Sequence, residues 1–323
     1  MEGFILTIGI TLAEKLASMM LMILVGFIMV RTGRMGAKDA RPLSALLVYV
    51  LQPCLIVQAF MIDLDKQKMQ GFVTVLVFSF CAYGVWIVLT HFIKKPFRLD
   101  PIDQTCLIYA NVGNLVLPVV SMVMGDEVLL FAATVQIPFN LLMWTHAQMV
   151  ISESGSLSVK WVLKKIFFNA NVLAVFFGVF LMLTGLRLPG VLDTATESLA
   201  AMVGPTAMLS IGMSIAESDL KKIFLNRKAY LIAFGRLVVY PSIILILLFA
   251  SGVLRHNPAL LPVMEVAFIT MTAPPANSIS QIAILYHKRE VEAGVYAIIG
   301  TLLCTLTMPL MIMLFSLLFR VGT

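Results

Sequence analysis

The sequence predicts an all-α polytopic membrane protein, with ten transmembrane helices arranged as two inverted five-helix repeats. Three observations predict this. Apolar runs are too long and too many for a soluble domain, basic residues crowd into alternate loops, and two apolar runs are broken at matching places in the two halves. Of 323 residues, 60% are hydrophobic and 12% charged, with a mean hydropathy of +0.98. Soluble domains carry about 25% charged residues.

A helical span needs about 20 apolar residues. Ten runs qualify: 4–30, 42–62, 69–93, 103–124, 127–150, 166–187, 191–215, 229–254, 258–286 and 291–319. None alternates apolar with polar residues as a barrel strand would. The first run follows Met1-Glu2-Gly3-Phe4, with neither a basic n-region nor a small-residue cleavage site. It therefore reads as a retained span rather than a signal peptide. No linker long enough to attach a soluble domain interrupts the series.

The loops divide by charge. Those after spans one, three, five, seven and nine hold Arg31, Arg34, Lys38 and Arg41; Lys94, Lys95 and Arg98; Lys160, Lys164 and Lys165; Lys221, Lys222, Arg227 and Lys228; and Lys288 and Arg289. The opposite side holds Lys66, Lys68, Arg187, Arg255 and Arg320. The positive-inside rule puts the first set in the cytoplasm and both termini outside, in a plasma (inner) membrane. The net charge of +6 sits in these short loops, so it signals no nucleic-acid partner.

The two halves, 1–151 and 166–323, can be compared residue by residue. Gly26 meets Gly178, Thr32-Gly33 meets Thr184-Gly185, and Pro53 meets Pro205, all offset by 152. Asn114 meets Asn277 and Glu127 meets Glu290, offset by 163. An odd number of spans per repeat inverts the second copy in the membrane. Inverted repeats with helices broken near the midplane are a transporter architecture.

The first break reads Tyr109-Ala-Asn111-Val-Gly113-Asn114-Leu-Val-Leu-Pro118, the second Thr270-Met-Thr272-Ala-Pro274-Pro275-Ala-Asn277-Ser278. Pro118 removes a ladder donor and crowds the carbonyl four residues back, while Gly113 eases unusual backbone angles. Unwinding is expected from Asn111 to Pro118 and from Thr272 to Asn277. Backbone freed at that depth must be buried in protein or line a water-filled cavity. Each break leaves a half-helix N-terminus suited to an anion and a C-terminus whose carbonyls suit a cation. Asn111, Asn114, Asn277, Thr272 and Ser278 add neutral polar groups, as do Ser280 and Gln281. Neither break holds a carboxylate, so a small carboxylate is the expected substrate rather than a cation.

Glu265 precedes Pro274 by nine residues, roughly 13 Å along a helix, and is a candidate coupling group for H+ or Na+. Arg236, inside span eight, is a candidate for attracting an anion, or else snorkels to the headgroups. Cys54, Cys81, Cys106 and Cys304 lie in apolar runs without metal-ligand spacing. His91, His146, His256 and His287 show no ligand spacing either, and His91, His256 and His287 fall near span ends. No HExxH or GxSxG motif occurs, so no catalytic residue, metal or cofactor is expected.

These residues together resemble the auxin efflux carrier family, which includes plant PIN-type carriers and bacterial malonate and malate permeases. The resemblance rests on Gly26 with its basic loop, Leu43-Ser44 to Leu51-Gln52-Pro53, Asn111-Val-Gly113-Asn114 to Pro118, and Asn171-Val-Leu with Gly178. It continues through Gly204-Pro205 to Ser210-Ile-Gly212, Arg236-Leu-Val-Val-Tyr-Pro241 and Ala273-Pro274-Pro275-Ala276-Asn277. It implies a fold similar to bile acid symporters and sodium-proton antiporters, with spans four and nine crossing around an organic anion. It further implies a transport domain (spans three to five and eight to ten) moving like an elevator against a scaffold of spans one, two, six and seven, and a homodimer. The long cytoplasmic loop of many plant members does not occur. The expected function is secondary transport of a small mono- or dicarboxylate. The rival readings are a cation-coupled antiporter or channel, and a membrane ligand sensor.

Overall fold

The computed structural model describes residues 2–62, 68–112, 116, 120, 124, 128–152, 169–217, 219, 221 and 224–320. Gly113, Asn114, Pro118 and Glu127 lie outside the described residues, as do Lys66, Lys160, Lys164, Lys165 and Lys222. The described chain is helical: α1 (Glu2–Arg31), α2 (Ala37–Ala59), α3 (Met69–Ile93), α4 (Pro101–Ile108), α5 (129–152), α6 (Ala170–Thr184), α7 (Gly190–Ile215), α8 (Arg227–Ser251), α9 (Pro258–Met271), α10 (Asn277–Tyr286) and α11 (Glu290–Arg320). By length and composition α2, α3, α7, α8 and α11 can each cross a membrane. Ala17–Arg31, α6 and α9 are shorter apolar helices.

Polar residues at the ends of the apolar runs start the helices. Asp100 caps α4 by accepting from Ile102 N and Asp103 N, and the Asp103 carboxylate accepts from Asp100 N at 2.8 Å. This is a reciprocal capping box, with Pro101 pre-set for the first turn. The side chains of Asn169 and Asn226 cap α6 and α8, each accepting from two backbone N–H groups, without the reciprocal bond. Within the runs, one set of apolar side chains faces protein and another faces outward. Leu21, Leu24 and Ile28 on α1, Val77 and Phe92 on α3, Phe176 and Phe180 on α6, and Leu306 and Leu310 on α11 are exposed. A water-soluble monomer rarely tolerates so much exposed apolar surface, whereas lipid covers it at no penalty.

Three long helices each contain one π turn: Leu47–Leu51 in α2, Met143–Ala147 in α5 and Gly235–Val239 in α8. Such turns insert a residue into the ladder and occur often at functional sites.

α1 packs along α7, and α6 along the second half of α2. Small residues set both contacts. A Cβ on Gly26 would run into the Leu209 carbonyl, and one on Gly212 into the Ile23 carbonyl. A Cβ on Gly178 would lie 2.7 Å from Phe60 Cδ2. Close backbone approach of this kind is how helices associate in lipid, where burying apolar surface gains little.

Gly212→Ala should therefore lower thermal stability in detergent by about 1–3 kcal/mol, as overpacking does. Gly204→Ala, on the same helix with open space around it, should be neutral or stabilise by about 0.5–1 kcal/mol.

Candidate functional site

The second break falls where the prolines require it. α9 ends at Met271, and Thr272 closes it by donating from both N and Oγ1 to the Ile269 carbonyl. α10 begins at Asn277, after Ala276 in an extended conformation. The first break begins earlier than Asn111, because α4 stops at Ile108 and Tyr109 is already extended (φ −100°, ψ 121°).

The two extended stretches pair. Ala110 and Pro275 form an antiparallel bridge, in which Asn111 N donates to the Pro274 carbonyl at 2.8 Å and Ala276 N to the Tyr109 carbonyl at 3.0 Å. Only the flanking residues donate. Pro274 and Pro275, which have no N–H, therefore occupy positions where none is needed. The bridge satisfies part of the freed backbone from within the protein, as a lipid environment demands.

Arg236 satisfies four carbonyls at the C-terminal ends. It is 0% exposed. Its Nε donates to Ala273 O at 3.1 Å and its Nη2 to Met271 O at 2.6 Å, both at the end of α9. Its Nη1 donates to Leu107 O at 3.3 Å and Ile108 O at 3.2 Å, at the end of α4. The guanidinium lies over the Trp86 ring at 4.5 Å. One cation thus caps two half-helix C-termini, where partial negative charge accumulates, and an aromatic face covers it. It extends inward to these carbonyls rather than outward to headgroups. Two glycines make the room. A Cβ on Gly235 would sit 2.6 Å from Leu107 Cδ2, and one on Gly300 of α11 2.5 Å from Pro275 Cδ.

On the N-terminal side of α10 the polar atoms have no such partners. Asn111 Nδ2, Asn277 Nδ2, Gln136 Nε2 and Ser280 Oγ are buried without a hydrogen bond. A buried polar group left unpaired costs about 1–3 kcal/mol, so a cluster of them points to a ligand or ordered water. Asn111 and Gln136 line a small cleft with Gln52, Leu55, Phe139, Ala276 and Ser278, with a free volume of ≈ 10 Å³, about that of one water. Among the described residues, no charged side chain lines it. Gln52 and Leu55 come from α2, and the rest from the crossing and α5.

Of the sequence-predicted residues, Asn111, Ser278 and Ala276's neighbours Pro275 and Asn277 meet at the crossing. Thr272 is bonded to its own helix end. Gln281 is held by Ser44 Oγ at 2.7 Å and reaches Ala207 O at 3.3 Å, joining α10 to α2 and α7. Glu265 stands apart, fully buried on α9 with Ser316 Oγ 3.5 Å from Oε1. Gln136 was not singled out by the sequence reading, and Gln52 only as part of a motif. The available signal was an uncharged amide in the middle of an apolar run.

At one end of the molecule the loops after α3, α7 and α10 come together. Lys228 pairs with Asp100 at 3.1 Å and also with Asp103; Arg289 pairs with Asp100; and Tyr296 donates to Asp103 at 2.9 Å. These are three of the loops that charge counting assigns to one side.

Broken helices crossing around unpaired donors, in a helical chain with a lipid-compatible surface, define a membrane transport protein. The model of the membrane transport protein family matches residues 11–312, and the chain belongs to this family, the auxin efflux carrier family. A comparison with curated protein sequences finds no match.

Arg236→Gln should lower the unfolding temperature of the purified protein more than Arg236→Lys does. Glutamine can serve at most two of the four carbonyls, and each orphan is worth about 1–3 kcal/mol. Lysine keeps the charge but not the fork that spans two helix ends.

Proposed function

We propose that this protein is a secondary carrier of a small organic anion, a mono- or dicarboxylate, across the plasma membrane. The observation that carries this reading is the uncharged cleft at the crossing. It is lined by amide groups whose N–H donors lack partners and lies against the start of a helix, whose first N–H groups have no intrahelical acceptor. Donors without acceptors favour an anion. Arg236 already occupies the helix ends that would attract a cation. Among the described residues no carboxylate lines the cleft, which weighs against the antiporter reading.

Alternating access by an elevator movement is the mechanism we infer. The cleft has α2 on one side and helices α4, α5 and α10 on the other, which fits a scaffold of α1, α2, α6 and α7 facing a moving remainder. The repeat supports this division. Gly26 and Gly178 are offset by 152, and so are Phe60 and Gly212. The α1–α7 contact holds Gly26 and Gly212, while the α2–α6 contact holds Phe60 and Gly178. Two copies of one packing arrangement are what an inverted repeat requires.

Asn111→Ala, Asn277→Ala and Gln136→Ala should each weaken malonate uptake into proteoliposomes by about tenfold or more, the equivalent of a lost hydrogen bond to a charged group. Insertion and thermal stability should remain near those of the parent. A carboxylate that binds should raise the unfolding temperature of the parent protein, and running the assay with and without sodium at two pH values identifies the coupling ion. Undiminished uptake by an Asn111→Ala, Asn277→Ala double variant would overturn the assignment.

A further inference from the structure

His146 is the histidine that the transport site leaves unexplained. It lies in the π turn of α5, half-buried, at the end that charge counting assigns to the cytoplasm. Its Nδ1 is 2.9 Å from the hydroxyl of Tyr109. Tyr109 is 0% exposed and is the residue at which α4 breaks. Its carbonyl receives the N–H of Ala276 in the crossing bridge. Its ring stands edge-on to Phe139, centroids 6.3 Å apart, and stacks on Tyr83 at 5.9 Å. Ala276 and Phe139 are both walls of the cleft. One titratable, half-buried side chain is therefore bonded to a residue next to the walls of the cleft.

The Tyr109 hydroxyl has one hydrogen and two acceptors within reach, His146 Nδ1 at 2.9 Å and the Leu142 carbonyl at 3.3 Å. The shorter approach points the hydrogen at Nδ1 of a neutral His146, so the hydroxyl makes that bond and not the longer one to the Leu142 carbonyl. Protonation puts a hydrogen on Nδ1. The imidazolium then donates to the Tyr109 oxygen and drives the hydroxyl hydrogen onto Leu142 O, so both bonds are made together. Burial first, and then Lys94 at the end of α3, bear on the charge of the imidazole. Tyr286, on α10, bonds to Gln148 instead.

We propose that His146 is a proton-responsive positioning residue. In its acid form it holds Tyr109 by two hydrogen bonds and pre-organises the anion cleft. This rests on reading the crossing as the transport site. A pre-organised cleft binds more tightly because less ordering remains to be done on binding, so protonation should lower KM rather than raise the maximal rate.

Two experiments test it. The first needs no substrate. A His91→Gln, His256→Gln, His287→Gln chain leaves His146 as its one imidazole, and nitrogen-15 histidine NMR follows it directly. We expect a titration between about pH 5 and 8, with the Nε2–H tautomer in the neutral form. Tyr109→Phe in this background should shift both midpoint and tautomer. An imidazole silent across that range, or unmoved by Tyr109→Phe, overturns the proposal. The second measures malonate uptake by the parent and by His146→Gln over the same pH range. Taking the ratio of their KM values cancels the titration of malonate itself. That ratio should change by about threefold or more, since a histidine charges within this window, and maximal rates should keep a constant ratio. A KM ratio independent of pH overturns the proposal. If malonate is not carried, the proposed substrate class fails, while the NMR result still decides the role of His146.

Discussion

The structure depends on the burial of Arg236 against the ends of two half-helices. A break at membrane depth strands carbonyls that neither water nor lipid can satisfy. Here two breaks strand them side by side, and a single guanidinium bonds to four of them. An isolated buried cation would be prohibitively expensive. Two isolated helix C-termini would be unfavourable as well. Each resolves the other, and neither is tenable alone. The face of Trp86 completes the enclosure, and its indole N–H is bonded to the Tyr240 carbonyl at 3.0 Å, which ties α3 to α8 beneath the crossing.

This arrangement also separates the two kinds of helix end. The carbonyl ends are occupied by a resident cation, and the paired stretches at Ala110 and Pro275 consume two of the free N–H groups. What stays open is the start of α10 and the amides of Asn111, Asn277 and Gln136. On the proposed function, a preference for an anion would arise by subtraction, because Arg236 already fills the carbonyl ends that would suit a cation. Packing enforces the geometry, because Gly235 and Gly300 let α8 and α11 approach so closely that a single added methyl group would collide with the neighbours of the crossing.

Much of this was legible in the sequence, for reasons that differ between elements. The second break was placed from Thr272 to Asn277, and helix stops at Met271 and resumes at Asn277, because consecutive prolines act locally. The first break starts at Tyr109, before any proline or glycine, because pairing with the other stretch pulls it open; no local signal carries that. α3 was expected over 69–93 and spans Met69–Ile93, since an uninterrupted apolar run is limited only by its flanks. Arg236 stood out as an intramembrane charge, but its partners are main-chain carbonyls from residues 107 to 273, which leave no mark in composition. Gln136 carries no such mark, because a neutral amide in an apolar run costs far less than a charge and stands out less. The π turns at Leu47–Leu51, Met143–Ala147 and Gly235–Val239 have no sequence signature here, yet one holds Arg236, another holds His146, and the third ends next to Gln52.

The neutrality of the cleft has a physical reason on the proposed mechanism. A binding site that travels with a moving domain must pass through the region where charge is most expensive, and every unpaired ionised side chain would have to be desolvated on each empty return. Amide donors and a helix N-terminus avoid this. They present partial positive charge to a carboxylate, yet carry no net charge when it leaves. Arg236 travels already neutralised by its carbonyls, so it adds no exposed charge in either state. The same logic explains why an unpaired set of donors is tolerable inside the resting protein. The penalty for leaving a few amide hydrogens without partners is far smaller than that for a buried ion, and the proposed anion would relieve it.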